Sequence, residues 1–200
     1  MLVEDLDGGA ASEIEIHNRL PFTDSIRANA NQRACLSAII SDVDFQSLFA
    51  HQAWADASLL SAVHAHPPSI EDEWLQKTLL HIVGVQRYFM SLFLERPFDR
   101  EKEAEPPASF ADLVQRFQGT HAEELAFVGG ISSADLERRF ELPFLKTGFT
   151  VADGLTQIVM HSQNHRGQCL RYLRKHGAET PTLDYILWAK DRPGPAWPVI

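Results

Sequence analysis

His161 and His165 stand four residues apart in the run His161-Ser162-Gln163-Asn164-His165-Arg166-Gly167-Gln168. At that spacing two side chains on a helix project from one face, one turn apart, so both imidazoles can reach a single cation. A lone histidine on an apolar face is ordinarily a core residue whose ring N–H groups are paired. Two in register are different. Burying both costs desolvation twice and makes protonation of either ring unfavourable, whereas a shared divalent ion satisfies both lone pairs.

The sequence around the pair predicts the helix they need. Thr150 and Asp153 have capping-box spacing, apolar residues recur at Val151, Leu155, Ile158, Cys169 and Leu173, and Gly177 follows a basic last turn of Arg174, Lys175 and His176. On an ideal wheel these apolar residues, both histidines and Tyr172 fall in a stripe roughly 120° wide, which predicts rings that point inward. Cys169 continues the ladder but sits about 12 Å along the axis from His161, too far to share its ion. The third ligand must come from another helix.

His81 is the best donor. The segment Ser69 to Glu95 opens on the capping residues Ser69 and Asp72, and its stripe Trp74, Thr78, His81, Val85, Tyr88 and Leu92 places His81 mid-face. Among the other histidines, His17, His64, His66 and His176 read as solvated, His51 as a pocket residue, and His121 as having no inward partner. Three imidazoles leave a divalent ion at least one open position, the arrangement of reactive rather than structural sites. Such an ion polarises an oxygen, lowers the pKa of a water or holds a thiol as its thiolate. Zinc, nickel and iron(II) all suit neutral nitrogen ligands.

The elements that must position these residues read as four helices: Ser41 to Ala65, ended by Pro67 and Pro68; Ser69 to Glu95, broken near Pro97; Ser109 to Val128, stopped by Gly129 and Gly130; and Thr150 to His176. Phe140 to Phe149 alternates as a short hairpin over one bundle end would. Tyr185 to Trp188 suits a short docking helix before a loose proline-rich finish. Residues 1–32 lack periodicity and read as an arm, 33–192 as the bundle domain and 193–200 as a tail. Arg166 fits an interhelical pair with a carboxylate and Gln168 the orientation of a ligand ring. Gly167 fits a close helix approach, and Gly154 space for a substrate. Tyr88 and Tyr172 read as core aromatics.

Composition narrows the function classes. The 200 residues, 44% hydrophobic and 22% charged, suit one domain with a sizeable core. A net charge of −9 with no Lys/Arg cluster argues against nucleic-acid binding. Cys35 and Cys169 lie far apart and fit a reducing compartment. No apolar run approaches the ~18 residues that span a bilayer, and the acidic start lacks a signal peptide's basic region. These features point to a cytoplasmic protein.

The run His161 to Gln168 resembles the His-x-x-x-His-Arg-Gly-Gln signature of the DinB-like proteins, the DinB/YfiT superfamily, and His81 stands where that family places its remaining histidine. The resemblance extends from about Phe45 to Trp188. It implies an all-α fold, a four-helix bundle of DinB/YfiT type with an irregular loop before the last long helix and a short C-terminal helix. It also implies a divalent metal on His81, His161 and His165 in a pocket at one bundle end, and a homodimer. The expected function is that of a metal-dependent transferase, with zinc or nickel ahead of iron, activating a low-molecular-weight thiol or water for attack on a small-molecule electrophile. The alternative is a non-catalytic metal-binding stress-response module. Resemblance fixes the site better than the reaction.

Overall fold

The structure is a computed structural model that describes residues 44–142 and 145–200. The N-terminal arm, His17, Cys35 and the expected helix start at Ser41 lie outside the described residues. Asp44 caps the first helix, α1 (Phe45–His64), by accepting from the Ser47 amide at 2.9 Å. Pro67 and Pro68 end that helix and open a single-turn α2 (Pro67–Ile70), where a missing N–H costs nothing. Asp72 then caps α3 (Glu73–Phe93), and Ser109 caps α5 (Phe110–Gly130) after the short α4 (Arg100–Ala104). Gly129 and Gly130 form the last residues of α5 instead of stopping ahead of them.

After α6 (Ser133–Glu137), strands β1 (Arg139–Leu142) and β2 (Thr147–Thr150) pair antiparallel, with Phe140 opposite Phe149. This is the expected hairpin. Thr150 and Asp153 close the expected capping box on α7 (Val151–Lys175), and the chain's last helix is α8 (Tyr185–Asp191). No helix among the described residues is long and apolar enough to cross a membrane.

Helices α1, α3, α5 and α7 form a four-helix bundle in which α1 and α3 each pack against α5 and α7, leaving α1 diagonal to α3. Helices α3 and α7 run antiparallel: Tyr172 donates to Asp72 at 2.6 Å near one end, and Gly154 meets Phe93 near the other. The core has two apolar clusters, one around Leu59, Leu75, Leu79, Phe117 and Leu173, the other around Phe49, Phe89, Met90, Phe93 and Leu155. Every long helix passes from one cluster to the other through buried polar residues: Gln52 and Asp56 on α1, Gln86 on α3, His121 and Glu124 on α5, Ser162 and Arg166 on α7. A polar layer therefore crosses the middle of the bundle.

That layer displaces the three histidines from the buried faces, although on α7 the apolar positions Val151, Leu155, Ile158, Cys169 and Leu173 are buried as expected. On α3 the buried positions are Leu75, Thr78, Leu79, Ile82, Val83, Gln86, Phe89, Met90, Ser91 and Phe93, so that of the expected stripe through His81 only Thr78 is buried. On α7 the deepest mid-helix positions belong to Ser162 and Arg166. His81, His161 and His165 are consequently half-buried on the shared flank of two helices, not mid-face. They also lie midway along α3 and α7, not at a bundle end.

Gly154 leaves no space for a substrate. A Cβ there would meet Phe93 Cζ at 2.5 Å and Phe140 Cε1 at 3.0 Å, so the residue seats the aromatic rings of α3 and the hairpin against α7. Gly167, by contrast, faces open space and mediates no close approach. Opposite outcomes follow for one chemical change. Gly154→Ala is expected to lower the unfolding free energy by about 1–3 kcal/mol through overpacking. Gly167→Ala should raise it by about 0.5–1 kcal/mol through helix propensity. Urea denaturation of the two variants beside the wild type checks both signs.

Candidate metal centre

His81 on α3 faces His161 and His165 on α7 across the antiparallel seam. Their potential ligand atoms all lie within 4.8 Å of one another, and no other Cys, His, Asp or Glu among the described residues joins the group. The His81 and His161 Nε2 atoms are 3.0 Å apart. Two nitrogen ligands on one zinc-sized ion, with bonds of about 2.1 Å in tetrahedral array, stand roughly 3.4 Å apart, so the spacing suits a shared cation after a small ring adjustment. Ring centroids are separated by 4.8 Å for His81–His161, 4.8 Å for His81–His165 and 4.4 Å for His161–His165. The three sequence-predicted residues come together.

Protonation states favour ligation. Burial, followed by the charges of His165 and His81, pushes His161 down to about 3. Burial, followed by the charge of His165, lowers His81 as well. Neutral rings keep the lone pairs that a metal requires. Gln168 Oε1 lies 2.9 Å from His165 Nδ1 and accepts its proton bond, which leaves Nε2 as the free donor atom. This is the orienting role expected for Gln168. Three imidazole nitrogen donors brought together from two helices thus fit a divalent transition metal.

The other expectations divide. Cys169 is fully buried, and its thiol is pushed up to about 12 mainly by burial, so it is neither ligand nor nucleophile. His51 does not line the site. Its Nε2 lies 3.0 Å from the Leu183 carbonyl oxygen, and its ring sits among Trp54, Tyr185 and Trp188, where it docks the C-terminal segment. His176 is exposed, whereas His64 and His66 are half-buried, the first stacked on Phe110 and the second 2.7 Å from Ser69 Oγ. The proline-rich finish is not loose: Ser61 donates to the Ala196 carbonyl at 3.2 Å, and Trp197 covers the His121 ring at 5.7 Å. A cleft of about 350 Å³ beside Leu170, Arg174 and Leu183 contains none of the three histidines.

The main correction concerns His121, which is 2% exposed and does have inward partners. Its Nε2 is 2.8 Å from Asp56 Oδ2 and its Nδ1 2.9 Å from Glu124 Oε2. Arg166, also buried, donates to Asp56 Oδ1 at 3.0 Å, the interhelical carboxylate pair expected for it. Burial works to raise the Asp56 pKa, but the Arg166 guanidinium and then the His121 ring hold it at about 2. Burial likewise opposes charge on His121, yet Glu124 and Asp56 raise that ring to about 9. Two carboxylates and two cations therefore balance inside the bundle. The only sequence signal for this layer was polar residues at core-facing positions of all four helices, which apolar periodicity passes over.

Three imidazoles converge from two rods of one helical bundle on its flank, where together they could hold one cation. The family model of the DinB superfamily matches residues 61–169, and the chain belongs to that superfamily. Among solved structures its fold is similar to that of YfiT from Bacillus subtilis, described as a probable metal-dependent hydrolase with an unusual four-helix bundle topology. The two share 20% sequence identity with a TM-score of 0.53, over 82% of this chain and 97% of that one. No curated protein matches the chain.

Proposed function

We propose that this DinB-superfamily chain is a metal-dependent enzyme: His81, His161 and His165 hold one divalent cation, zinc or nickel ahead of iron, and a low-molecular-weight thiol or water attacks a small electrophile there. The convergence of three nitrogen donors without a fourth described protein donor carries this reading. When bound, a divalent ion with only neutral ligands keeps most of its charge for lowering the pKa of a thiol or water and polarising an electrophile's oxygen. The chain's own contribution is orientation. Gln168 fixes the His165 ring, the helical i, i+4 spacing fixes His161 beside it, and burial keeps His161 unprotonated. The three rings are half-buried, so they are not sealed within the bundle by the described residues. We take the working species to be a homodimer.

Turnover of a panel of electrophiles, with protein metal-loaded or stripped, tests the proposal. Glutathione, bacillithiol, mycothiol and no thiol form its four arms. The expected result is turnover that requires both the metal and one of the thiols. Metal-dependent turnover without thiol would assign water as the nucleophile, the chemistry named for YfiT. Absence of metal-dependent turnover in every arm would leave a non-catalytic metal-binding module.

A further inference from the structure

Beside the histidines the bundle contains a buried charge layer that stability alone explains poorly. Gln52, Asp56, Gln86, Glu124 and Ser162 are fully buried, with His121 and Arg166 at 2% and 1% exposure. Within the layer Gln52 Oε1, Gln86 Oε1, Glu124 Oε1 and Arg166 Nε have no hydrogen-bond partner among the described residues. Buried ion pairs are frequently no better than apolar replacements, and each unsatisfied polar atom adds a desolvation cost. Such departures from a consistent core are expected where a fold serves a site.

The connections of the layer lead to the metal ligands. Asp56 Oδ1 accepts from Arg166 Nη1 at 3.0 Å, and Arg166 follows His165 directly in α7. Asp56 Oδ2 accepts from Gln86 Nε2 at 3.1 Å, and the same amide group donates to Ser162 Oγ at 3.2 Å. Ser162 follows His161 directly. Gln86 lies on α3 five residues after His81, so this one amide ties the helix of the third ligand to the helix of the other two. His121, 2.8 Å from Asp56, anchors the arrangement to α5. One carboxylate on α1 thus engages α3, α5 and α7 together.

We propose that Asp56 is a positioning residue for the three-histidine site: through Arg166 and the Gln86–Ser162 link it fixes the rotation and register of α7 against α3, and so the separation of His161 and His165 from His81. This inference rests on the metal reading above. The residues that directly follow the two ligands on α7, Ser162 and Arg166, are the two that α7 contributes to the layer, so the layer acts on this helix at the turns that carry His161 and His165. Loss of the carboxylate lets α7 turn slightly and opens the ligand triangle without removing a ligand.

Cobalt(II) titration of the full chain, read by visible absorption and by affinity, tests the proposal alongside far-ultraviolet circular dichroism. Asp56→Asn is expected to retain helicity while its cobalt affinity falls about 10- to 100-fold and its visible band shifts, the range typical of partners outside the ligand set. Ser162→Ala, a milder change, should give a smaller loss of the same kind. Glu123→Gln, which removes only the exposed partner of Arg96, should match the wild type. Wild-type affinity and band in folded Asp56→Asn would overturn the proposal; if that variant fails to fold, an unmoved Ser162→Ala would overturn it equally. Failure of the wild type to bind cobalt would overturn the metal reading and this inference with it, whereas wild-type binding with unmoved variants would overturn this inference alone.

Discussion

His161→Ala and His165→Ala are each expected to abolish stoichiometric metal binding while leaving the helical circular-dichroism signal close to that of the wild type. Either change leaves two nitrogen donors on two different helices, without the chelating pair that one turn of α7 supplies. Exchange of a partner outside the ligand set already costs about 10- to 100-fold in metal affinity, so loss of a ligand is expected to cost at least about 100-fold. The fold tolerates it. Both rings are half-buried on the flank, and the two apolar clusters that bind the helices together do not include them. In the presence of a chelator, unfolding free energies of these variants should lie within about 1 kcal/mol of the wild type. Elemental analysis of purified protein reads the first effect and denaturation the second. Retention of wild-type metal content by both variants would remove these residues from the site.

Arg166→Met is expected to give the opposite pattern, a large loss of stability. Methionine matches much of the arginine stem but leaves the Asp56 and Glu124 carboxylates inside the bundle against the single charge of His121. Removing one partner of a buried ion pair costs about 3–5 kcal/mol, because the remaining charge stays uncompensated. Equilibrium urea denaturation measures it; a cost within about 1 kcal/mol would show that the layer does not carry the charges assigned to it. The same layer sets a pH dependence. The His121 pKa rises from 6.5 to about 9 on folding, so the folded state binds the proton more tightly. Its stabilisation is complete below about pH 6.5 and is lost as the pH climbs through about 9. Urea midpoints should fall over that window in the wild type, and His121→Gln should flatten the fall.

The pair His161 and His165 was legible in the sequence because its signal is local: i, i+4 spacing inside a helix with a capping box at its start and a basic last turn at its end, whereas His81 rested on a stripe of α3 that the structure turns aside. The bundle was legible for the same reason as the pair, with Asp72, Ser109 and Thr150, read from the sequence as helix-start residues, found capping α3, α5 and α7. The depth of the site was not. Helical wheels assign the inside to apolar residues and so point the histidines inward, whereas the layer of Asp56, His121, Glu124 and Arg166 takes the interior and leaves the histidines half-buried. Its members are 65 to 110 residues apart in sequence where they bond across helices, and pairing at such range leaves no periodic trace. Gly154 illustrates the same limit. Its neighbours Phe93 and Phe140 belong to a distant helix and a hairpin, so only the fold reveals that the gap is filled.

A crystal structure of metal-loaded protein, with anomalous diffraction recorded at the absorption edge of the bound metal, tests the three-histidine centre most directly. The expected result is one strong anomalous peak about 2.1 Å from a ring nitrogen of each of His81, His161 and His165. A peak bonded to other residues, or no peak within reach of these three rings from protein saturated with zinc or nickel, would contradict it.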